Sequence, residues 1–256
     1  MTSSRTLRNY RDFGHFSLVM PLYAGLVDAF REFRSGKKSS KPIYVLCYSK
    51  CNMESKKKVL YKKRAAIAKI AAEFFSKKGF AETSMDDIAA AAKLSKGGVY
   101  HYFPSKTEVL YFIVDNFMDV VLKDIEEELG TIDDGLEKVK RLISRHVELY
   151  PRHHAEAKTL VNAVHNLPPK SFKKIVEKER EYFRIAAEVL TGYFGSSAEK
   201  HEVVVMTFML FSMCNSIYAW YNPKRTVSAE QLSQIMFDFL IDGICGIRKK
   251  PAHSHS

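Results

Sequence analysis

The sequence is poor in cysteine, with 4 in 256 residues. Cys47 and Cys51 are spaced as Cys-x-x-x-Cys, but no second pair completes a zinc site. Cys214 and Cys245 lie in apolar surroundings. This usage excludes a small domain held together by disulfides, and it predicts reduced thiols in a cytoplasmic protein.

The apolar run near the start of the chain is too short to be a membrane span. It covers residues 16–30 and is interrupted by Pro21 and Asp28, whereas a spanning helix needs roughly 20 apolar residues. We therefore expect no membrane partner.

Motifs of the common enzyme classes are missing. The chain has no Gly-rich phosphate loop, no Gly-x-Ser-x-Gly turn and no His-Glu-x-x-His helix. The second half of the chain has scattered histidines rather than a ligand cluster, and the neighbours His153 and His154 point to different sides of a helix. The others are His146, His165 and His201. We expect no catalytic residue, no cofactor and no metal.

Strand-like alternation and repeats of 20 to 50 residues are missing as well. Apolar residues instead recur at helical spacing along most of the chain, and Pro and Gly clusters separate the segments. After residue 106 the predicted helices are 107–129, 136–150, 153–166, 171–194, 198–221 and 228–247. The predicted fold class is all-α.

The most informative segment is residues 83–106, which predicts two short helices joined by a turn. Ser84 with Asp87 three residues later fits a capping box for the first helix. Ser95 is a natural N-cap for the second helix, which should end before Pro104.

The second of these helices has one apolar side and one open side. Val99, Tyr102 and Phe103 lie at i, i+3 and i+4, so they face the core at least in part. Two glycines at positions 97 and 98 cost a short helix about 1 kcal/mol each relative to alanine. Their lack of side chains suits a backbone that approaches a DNA strand closely, and this predicts a DNA reader.

The pattern of residues 88–106 is Ile-Ala-x-x-Ala-x-Leu-Ser-x-Gly-x-Val-Tyr-x-Tyr-Phe-x-x-Lys. It resembles the helix-turn-helix signature of the TetR family of ligand-responsive repressors, and the preceding amphipathic helix with its Gly79-Phe80 end fits as well. The resemblance covers about residues 60–110. One departure is Lys93, where many members have glycine and where a left-handed backbone suits lysine less well.

The resemblance implies which residues meet the DNA. Lysine, tyrosine and histidine can read base edges, and the phosphate contacts set register. Lys106 matches a phosphate-contacting position, so its loss is expected to reduce the salt dependence of binding by about one unit. The predicted base-facing residues are Lys96, Gly98, Tyr100 and His101, and the predicted phosphate contacts are Ser84, Tyr102 and Lys106. Thr83 and Gly97 complete the predicted DNA-binding set.

The formal net charge of +11 is compatible with a nucleic-acid partner, but it is unevenly distributed. Residues 1–52 hold nine basic against three acidic residues, which is +6 and leaves 11 − 6 = +5 for the rest. A further basic run precedes the first helix and would neutralise phosphates or simply be solvated. It comprises Lys56, Lys57, Lys58, Lys62, Lys63 and Arg64.

Three parts of the chain are predicted. Residues 1–52 form a basic extension of uncertain status, residues 53–105 a helix-turn-helix domain and residues 106–256 a helical ligand-binding and dimerisation domain. Three interpretations of the extension stay open: a start placed too far upstream, a flexible basic arm, or a small additional helix.

The last two predicted helices indicate a homodimer. Residues 203–213 are apolar nearly all round, which is typical of a helix buried on several sides. The resemblance implies that this pair forms a four-helix bundle with a second subunit. A twofold dimer also suits a palindromic double-stranded operator, whose half-sites lie roughly 34 Å apart.

The effector is predicted from a second resemblance. Residues 216–224, Ser-Ile-Tyr-Ala-Trp-Tyr-Asn-Pro-Lys, resemble the C-terminal region of regulators of fatty-acid and sterol degradation, which respond to acyl-CoA thioesters. Methionine and aromatic side chains would suit an acyl tunnel, and a basic stretch at residues 170–184 would suit CoA phosphates. The predicted ligand-binding residues are Tyr150, His165, Phe183, Met206, Met209 and Met213.

Other interpretations stay open. A methionine and phenylalanine stripe also describes a plain core, and alternating lysine and glutamate also describe a solvated helix face. A drug-like or other small apolar effector, or a helical sensor without gene regulation, fits the same composition. Activation rather than repression leaves no mark in the sequence.

Overall fold

The computed structural model describes residues 50–222 and 227–248, with side chains over 58–222 and 227–243. Within these residues every regular element is helical, which confirms the all-α prediction. The helices are α1 (Lys50–Lys78), α2 (Met85–Ala91), α3 (Lys96–Tyr102), α4 (Lys106–Leu122), α5 (Ile125–Gly130), α6 (Gly135–Ala163), α7 (Pro169–Phe194), α8 (Lys200–Trp220) and α9 (Ala229–Arg248). Short 3₁₀ turns at Val164–Asn166 and Gly195–Ser197 follow α6 and α7.

Several expectations fall outside these residues. They concern the extension before residue 50, which includes Cys47, and Pro223 and Lys224. The side chains of Cys51 and Cys245 also lie outside the described ones. The predicted boundary between residues 52 and 53 lies within α1.

The helix-turn-helix forms for the local reasons that the sequence indicates. The Ser84 hydroxyl accepts a hydrogen bond from the Asp87 amide at 3.0 Å, and Asp87 accepts one from the Ser84 amide at 2.9 Å, so the capping box of α2 is complete. The Ser95 hydroxyl accepts from the Gly98 amide at 3.0 Å and starts α3. Val99 and Phe103 are fully buried and hold α3 against the core.

Two helix boundaries differ from the predicted ones. The segment 107–129 is two helices, because Asp124 adopts a left-handed backbone with φ +57° between α4 and α5. The segments 136–150 and 153–166 are instead one kinked helix, α6, which contains Pro151 and a non-helical His153 with φ −131°. Proline removes one backbone donor and bends the helix without ending it here.

Helix α6 is the centre of the core that follows the helix-turn-helix. It packs against α1, α4, α7, α8 and α9. Helix α4 packs against α1 on one side and against α6 and α7 on the other, so the two predicted domains share it.

Helix α8 is partly buried and partly exposed. Leu210 and Cys214 are buried, whereas Val205 and Met209 are about half exposed. Of the described helices, α8 alone is long and apolar enough to cross a membrane, a property that core helices of soluble proteins share.

The turn between α2 and α3 contains a strained residue. Lys93 has φ +56°, the left-handed region that favours glycine. We expect Lys93→Gly to raise the free energy of unfolding by about 1 kcal/mol in urea denaturation without DNA.

Lys93→Ala is the control for that substitution, because it removes the same charge and keeps a Cβ. It should give no comparable gain. Equal effects of the two substitutions would mean that charge, rather than backbone strain, governs this turn.

Candidate nucleic-acid interface and internal cavity

Helix α3 presents an open face beside the N-terminus of α2. Ser84, Lys96, Gly97, Tyr100 and His101 are all exposed, and Tyr100 retains 42% of its accessible surface. A Cβ added at Gly97 would meet no atom within 4 Å, so another molecule can approach its backbone closely. Five of the nine predicted DNA-binding residues therefore share one accessible surface.

An acidic residue that the sequence analysis did not single out lies on this surface. Asp86 accepts a hydrogen bond from the Lys96 ammonium at 3.0 Å, and both side chains are exposed. This hydrogen bond raises the pKa of Lys96. Asp86 thus competes with DNA for the exposed Lys96 ammonium.

Three other predicted residues are less available. Thr83 is buried, and its hydroxyl donates to the Gly79 carbonyl at 2.8 Å, so the expectation of a side-chain contact with DNA is not supported. A Cβ at Gly98 would lie 3.2 Å from the Ser95 hydroxyl, so Gly98 faces the helix cap. Tyr102 is half-buried and packs against the core.

Lys106 has an internal role that its spacing did not reveal. Its ammonium donates to the carbonyls of Phe80, Ala81 and Thr83 at 2.7, 3.1 and 2.8 Å. An ammonium has three donors, so none is left for a phosphate. The predicted phosphate contact would therefore require Lys106 to give up one of these hydrogen bonds, which tie the start of α4 to the α1–α2 turn.

The basic run on α1 is also only partly available. Lys58, Lys62 and Lys63 are exposed. The Arg64 guanidinium, in contrast, lies 4.6 Å from the ring centres of both Phe103 and Phe112. Arg64 therefore joins α1 to α4 by stacking. The side chains of Lys56 and Lys57 lie outside the described residues.

An internal cavity lies between α4, α6, α7 and α8. It holds about 830 Å³ of space not filled by atoms, its open mouth included. Helix α4 contributes Phe117, Met118 and Val121 to its wall. Most of the remaining lining is apolar or aromatic, and no lysine or arginine belongs to it. Such a lining suits a largely apolar ligand.

The structure brings two of the six predicted ligand residues into this cavity. Tyr150 and Phe183 line it, whereas His165, Met206, Met209 and Met213 do not. His165 is exposed on the 3₁₀ turn after α6, and Met209 is 56% exposed. The lining residues of α8 are instead Phe211, Cys214, Asn215, Ile217 and Tyr218.

The structure places the three methionines outside the cavity wall, and helix geometry explains this for Met209. Residues two apart on a helix differ by about 200° in direction, so Met209 points away from the side of Phe211. Because α8 is apolar nearly all round, its sequence pattern could not show which side faces inward.

Some polar groups of the cavity have hydrogen-bond partners, and one has none. His146 Nδ1 and the Tyr182 hydroxyl lie 3.1 Å apart, and burial lowers the pKa of His146 to about 4. The Tyr150 hydroxyl reaches the carbonyls of Tyr218 and Tyr221 at 3.2 and 3.3 Å. Glu179, in contrast, has a buried Oε1 without a hydrogen-bond partner.

Burial controls the protonation of Glu179. Desolvation raises its pKa from 4.5 to about 8. The group is therefore mostly neutral at neutral pH. A lone glutamate on a charged helix carries no sequence signal of this kind, so only the packing shows it.

The basic stretch of α7 is divided between ion pairs and solvent. The Lys178 ammonium donates to Asp115 and Asp119 of α4 at 2.6 and 2.5 Å, and Arg184 binds Glu126, Glu181 and Glu188. Lys170, Lys173 and Lys174 remain exposed at the start of the helix. Fewer basic side chains of this stretch are therefore available to bind the phosphates of CoA than the sequence indicated.

Two family models match the chain. Residues 67–111 match the model described as bacterial regulatory proteins, tetR family, and residues 133–244 match the tetracyclin repressor-like C-terminal domain. Both describe transcriptional regulators rather than enzymes.

Similar proteins are transcriptional regulators as well. The transcriptional repressor KstR2 of Mycobacterium tuberculosis is 24% identical over 71% of this chain and 92% of its own length. The fatty acid metabolism regulator protein of Bacillus subtilis is 23% identical over 68% of this chain and 91% of its own. The crystal structure of AibR with isovaleryl coenzyme A and operator DNA shares the fold, with a TM-score of 0.59 at 23% identity over 69% of this chain and 97% of that one.

The Asp86–Lys96 pair yields a prediction. Asp86→Asn should tighten DNA binding, because it removes a negative charge from the surface and frees the Lys96 ammonium. The salt dependence of log K should steepen by about one unit in fluorescence anisotropy titrations. Glu73→Gln, at an exposed carboxylate paired with Lys77 at the end of α1, is the control. An unchanged slope in Asp86→Asn would place Lys96 off the DNA.

Glu179 yields a second prediction. The folded state keeps the carboxyl proton that the unfolded chain releases above its ordinary pKa. Stability is therefore lost as pH rises from about 4.5 to about 8, by at most about 1.4 kcal/mol per pH unit. Glu179→Gln should flatten the dependence in that window.

The measurement is urea denaturation at several pH values. Glu177→Gln, an exposed carboxylate two residues earlier on α7, is the matched control and should follow the unmodified protein. Parallel curves for Glu179→Gln and the unmodified protein would show that Glu179 is not held neutral.

Proposed function

Because the chain belongs to the TetR family of transcriptional regulators, we propose that it is a homodimeric repressor which leaves a palindromic operator when a small apolar effector fills its cavity. One observation carries this proposal. Helix α4 lines the cavity with Phe117, Met118 and Val121, and the same helix begins at Lys106 in the helix-turn-helix unit.

Helix α4 provides the mechanical link. At 1.5 Å per residue, Phe117 lies about 17 Å along the helix from Lys106. A ligand that displaces α4 at the cavity shifts the Lys106 ammonium and with it the turn before α2. Arg64 between Phe103 and Phe112, and the Tyr61 hydroxyl bound to Asn116 at 2.6 Å, carry the same displacement to α1 and α3.

The dimer is proposed to form through α8 and α9. These helices expose large apolar side chains that a single subunit leaves uncovered, with Phe239 at 73% and Ile235 at 55% exposed. Val205, Met209 and Trp220 are exposed in the same way on α8. TetR regulators dimerise, and burying this surface between two copies would place two α3 helices for one operator. Because the operator would lie on cytoplasmic DNA, the proposed dimer would act in the cytoplasm.

The proposed effector class is an acyl-CoA thioester. One similar protein is a fatty acid metabolism regulator, and AibR binds isovaleryl coenzyme A. The aromatic and aliphatic lining would hold the acyl chain. Because no lysine or arginine lines the cavity, the CoA phosphates must stay outside it, where Lys170, Lys173 and Lys174 are exposed.

A second effector class has one observation in its favour. Lys178 and Arg184 are held in ion pairs, so much of the basic stretch is already neutralised. An uncharged apolar molecule without CoA would need no basic side chains for binding. A sensor without gene regulation is disfavoured by the exposed face of α3, which would have no role in it.

The test is fluorescence anisotropy of the protein on DNA from its own upstream region. We expect a specific complex that palmitoyl-CoA releases at micromolar concentration and free CoA does not. Specific binding that ignores palmitoyl-CoA would contradict the effector class alone. Equal affinity for the upstream DNA and random DNA would contradict the repressor.

The Lys106 contact gives a prediction for the coupling. Lys106→Met removes the ammonium that lies over the Phe80 ring and leaves three carbonyls without their donor, which should cost about 1–3 kcal/mol of stability. Operator affinity should fall at least tenfold, while effector affinity without DNA stays unchanged. Lys77→Met, which removes an exposed charge at the end of α1, is the control. Equal effects of the two substitutions would rule out a special role for Lys106.

A further inference from the structure

We infer that Glu179 is the polar recognition group of the cavity and that its neutral carboxyl donates a hydrogen bond to a carbonyl oxygen of the effector. The inference rests on the proposed function only in taking this cavity as the effector site. It adds the chemical group that the ligand must present.

The first observation is an unpaired atom in the right place. Among the described residues, the buried side-chain nitrogen and oxygen atoms without a partner are Arg64 Nε, Arg145 Nε and Glu179 Oε1. Of these residues, Glu179 alone lines the cavity. A buried polar atom without a partner is costly, and a ligand that satisfies it recovers that cost.

The second observation is that the neighbouring polar groups already have partners. His146 contacts Tyr182 and is hydrogen-bonded to Asn215. The Tyr150 hydroxyl donates to backbone carbonyls. Among the buried side-chain nitrogen and oxygen atoms that the structure describes in the lining, Glu179 Oε1 is the one without a partner.

The third observation is the lack of a counter-charge. None of the described residues that line the cavity is a lysine or arginine, and burial keeps His146 neutral at neutral pH because it lowers the pKa of that ring to about 4. An isolated carboxylate would be strongly disfavoured there. The neutral carboxyl remains, and it has one O–H donor.

The geometry favours a carbonyl over an ammonium ligand. An ammonium brings three donors and needs several acceptors, whereas the cavity offers essentially one free carboxyl. A carbonyl oxygen is satisfied by one donor, and the apolar wall holds the rest of the molecule. Thioester and ketone carbonyls both meet this requirement.

The test uses three probes without CoA that differ only near the head group. These are 2-octanone, octylamine and 2-methyl-1-octene, in which a methylene replaces the carbonyl oxygen. Dissociation constants are measured by ligand-induced thermal shift for the full chain and for Glu179→Gln and Glu179→Leu. We expect about tenfold tighter binding of 2-octanone than of the alkene at pH 6.5.

The pH profile separates hydrogen bonding from packing. The ketone preference should fade between pH 7 and 9.5 as Glu179 loses its proton. It should persist in Glu179→Gln, which keeps an N–H donor, and should be missing from Glu179→Leu at every pH. The other titratable groups lining the cavity are His146, Tyr150, Tyr182, Cys214 and Tyr218. Burial raises the pKa of Cys214 to about 12 and raises those of Tyr150 and Tyr182, so these groups do not produce such a profile.

Several results would overturn the inference. They are equal binding of ketone and alkene, a preference for octylamine that grows with pH, or no binding of any probe. If Glu179→Leu does not fold, the pH dependence of the ketone preference in the unmodified protein and in Glu179→Gln still tests the inference. The repressor itself is judged separately by operator release with palmitoyl-CoA, so either proposal can fail alone.

Discussion

The three hydrogen bonds of the Lys106 ammonium are the contacts on which the coupling of the two halves depends. They fix the first residue of α4 to the backbone between α1 and α2. The same helix forms one wall of the cavity eleven residues later. Because a helix of this length is stiff, events at the cavity and at the DNA surface share one mechanical element. If an effector binds in the cavity as proposed, linkage requires that effector and operator each weaken the binding of the other.

The cavity shows a second constraint, which is the cost of an unpaired carboxyl in an apolar site. The Glu179 side chain is kept neutral and lacks a partner at Oε1. Such an arrangement lowers the stability of the empty protein and favours a ligand that supplies the missing partner. The paired His146 and Tyr182 beside it show that polar groups in this region can be satisfied internally. Glu179 is the exception, and this is why it points to recognition rather than to folding.

Local signals made the helix-turn-helix predictable. Capping at Ser84 and Ser95 and burial of Val99 and Phe103 follow from short-range pattern, and the structure confirms them. The strain at Lys93 was also foreseeable, because the position demands a left-handed backbone.

The remaining features depend on contacts between distant residues, and pattern alone could not supply them. Lys106 reaches carbonyls more than 20 residues away, and Asp86 pairs across the turn with Lys96. The inward side of α8 is set by what packs against it, so the sequence pattern did not show that its methionines lie outside the cavity wall. Which of these residues touch DNA or effector stays a prediction.

The most direct test of the central claim is the distance between the two DNA-binding units of the dimer with and without effector. Spin labels at Glu82→Cys, an exposed position in the turn that Lys106 holds, would report it by double electron–electron resonance, with Cys47, Cys51 and Cys245 replaced by serine. The account predicts a shift of the mean distance when palmitoyl-CoA is added and a smaller shift in Lys106→Met. An unchanged distance in the presence of bound effector would contradict the transmission through α4.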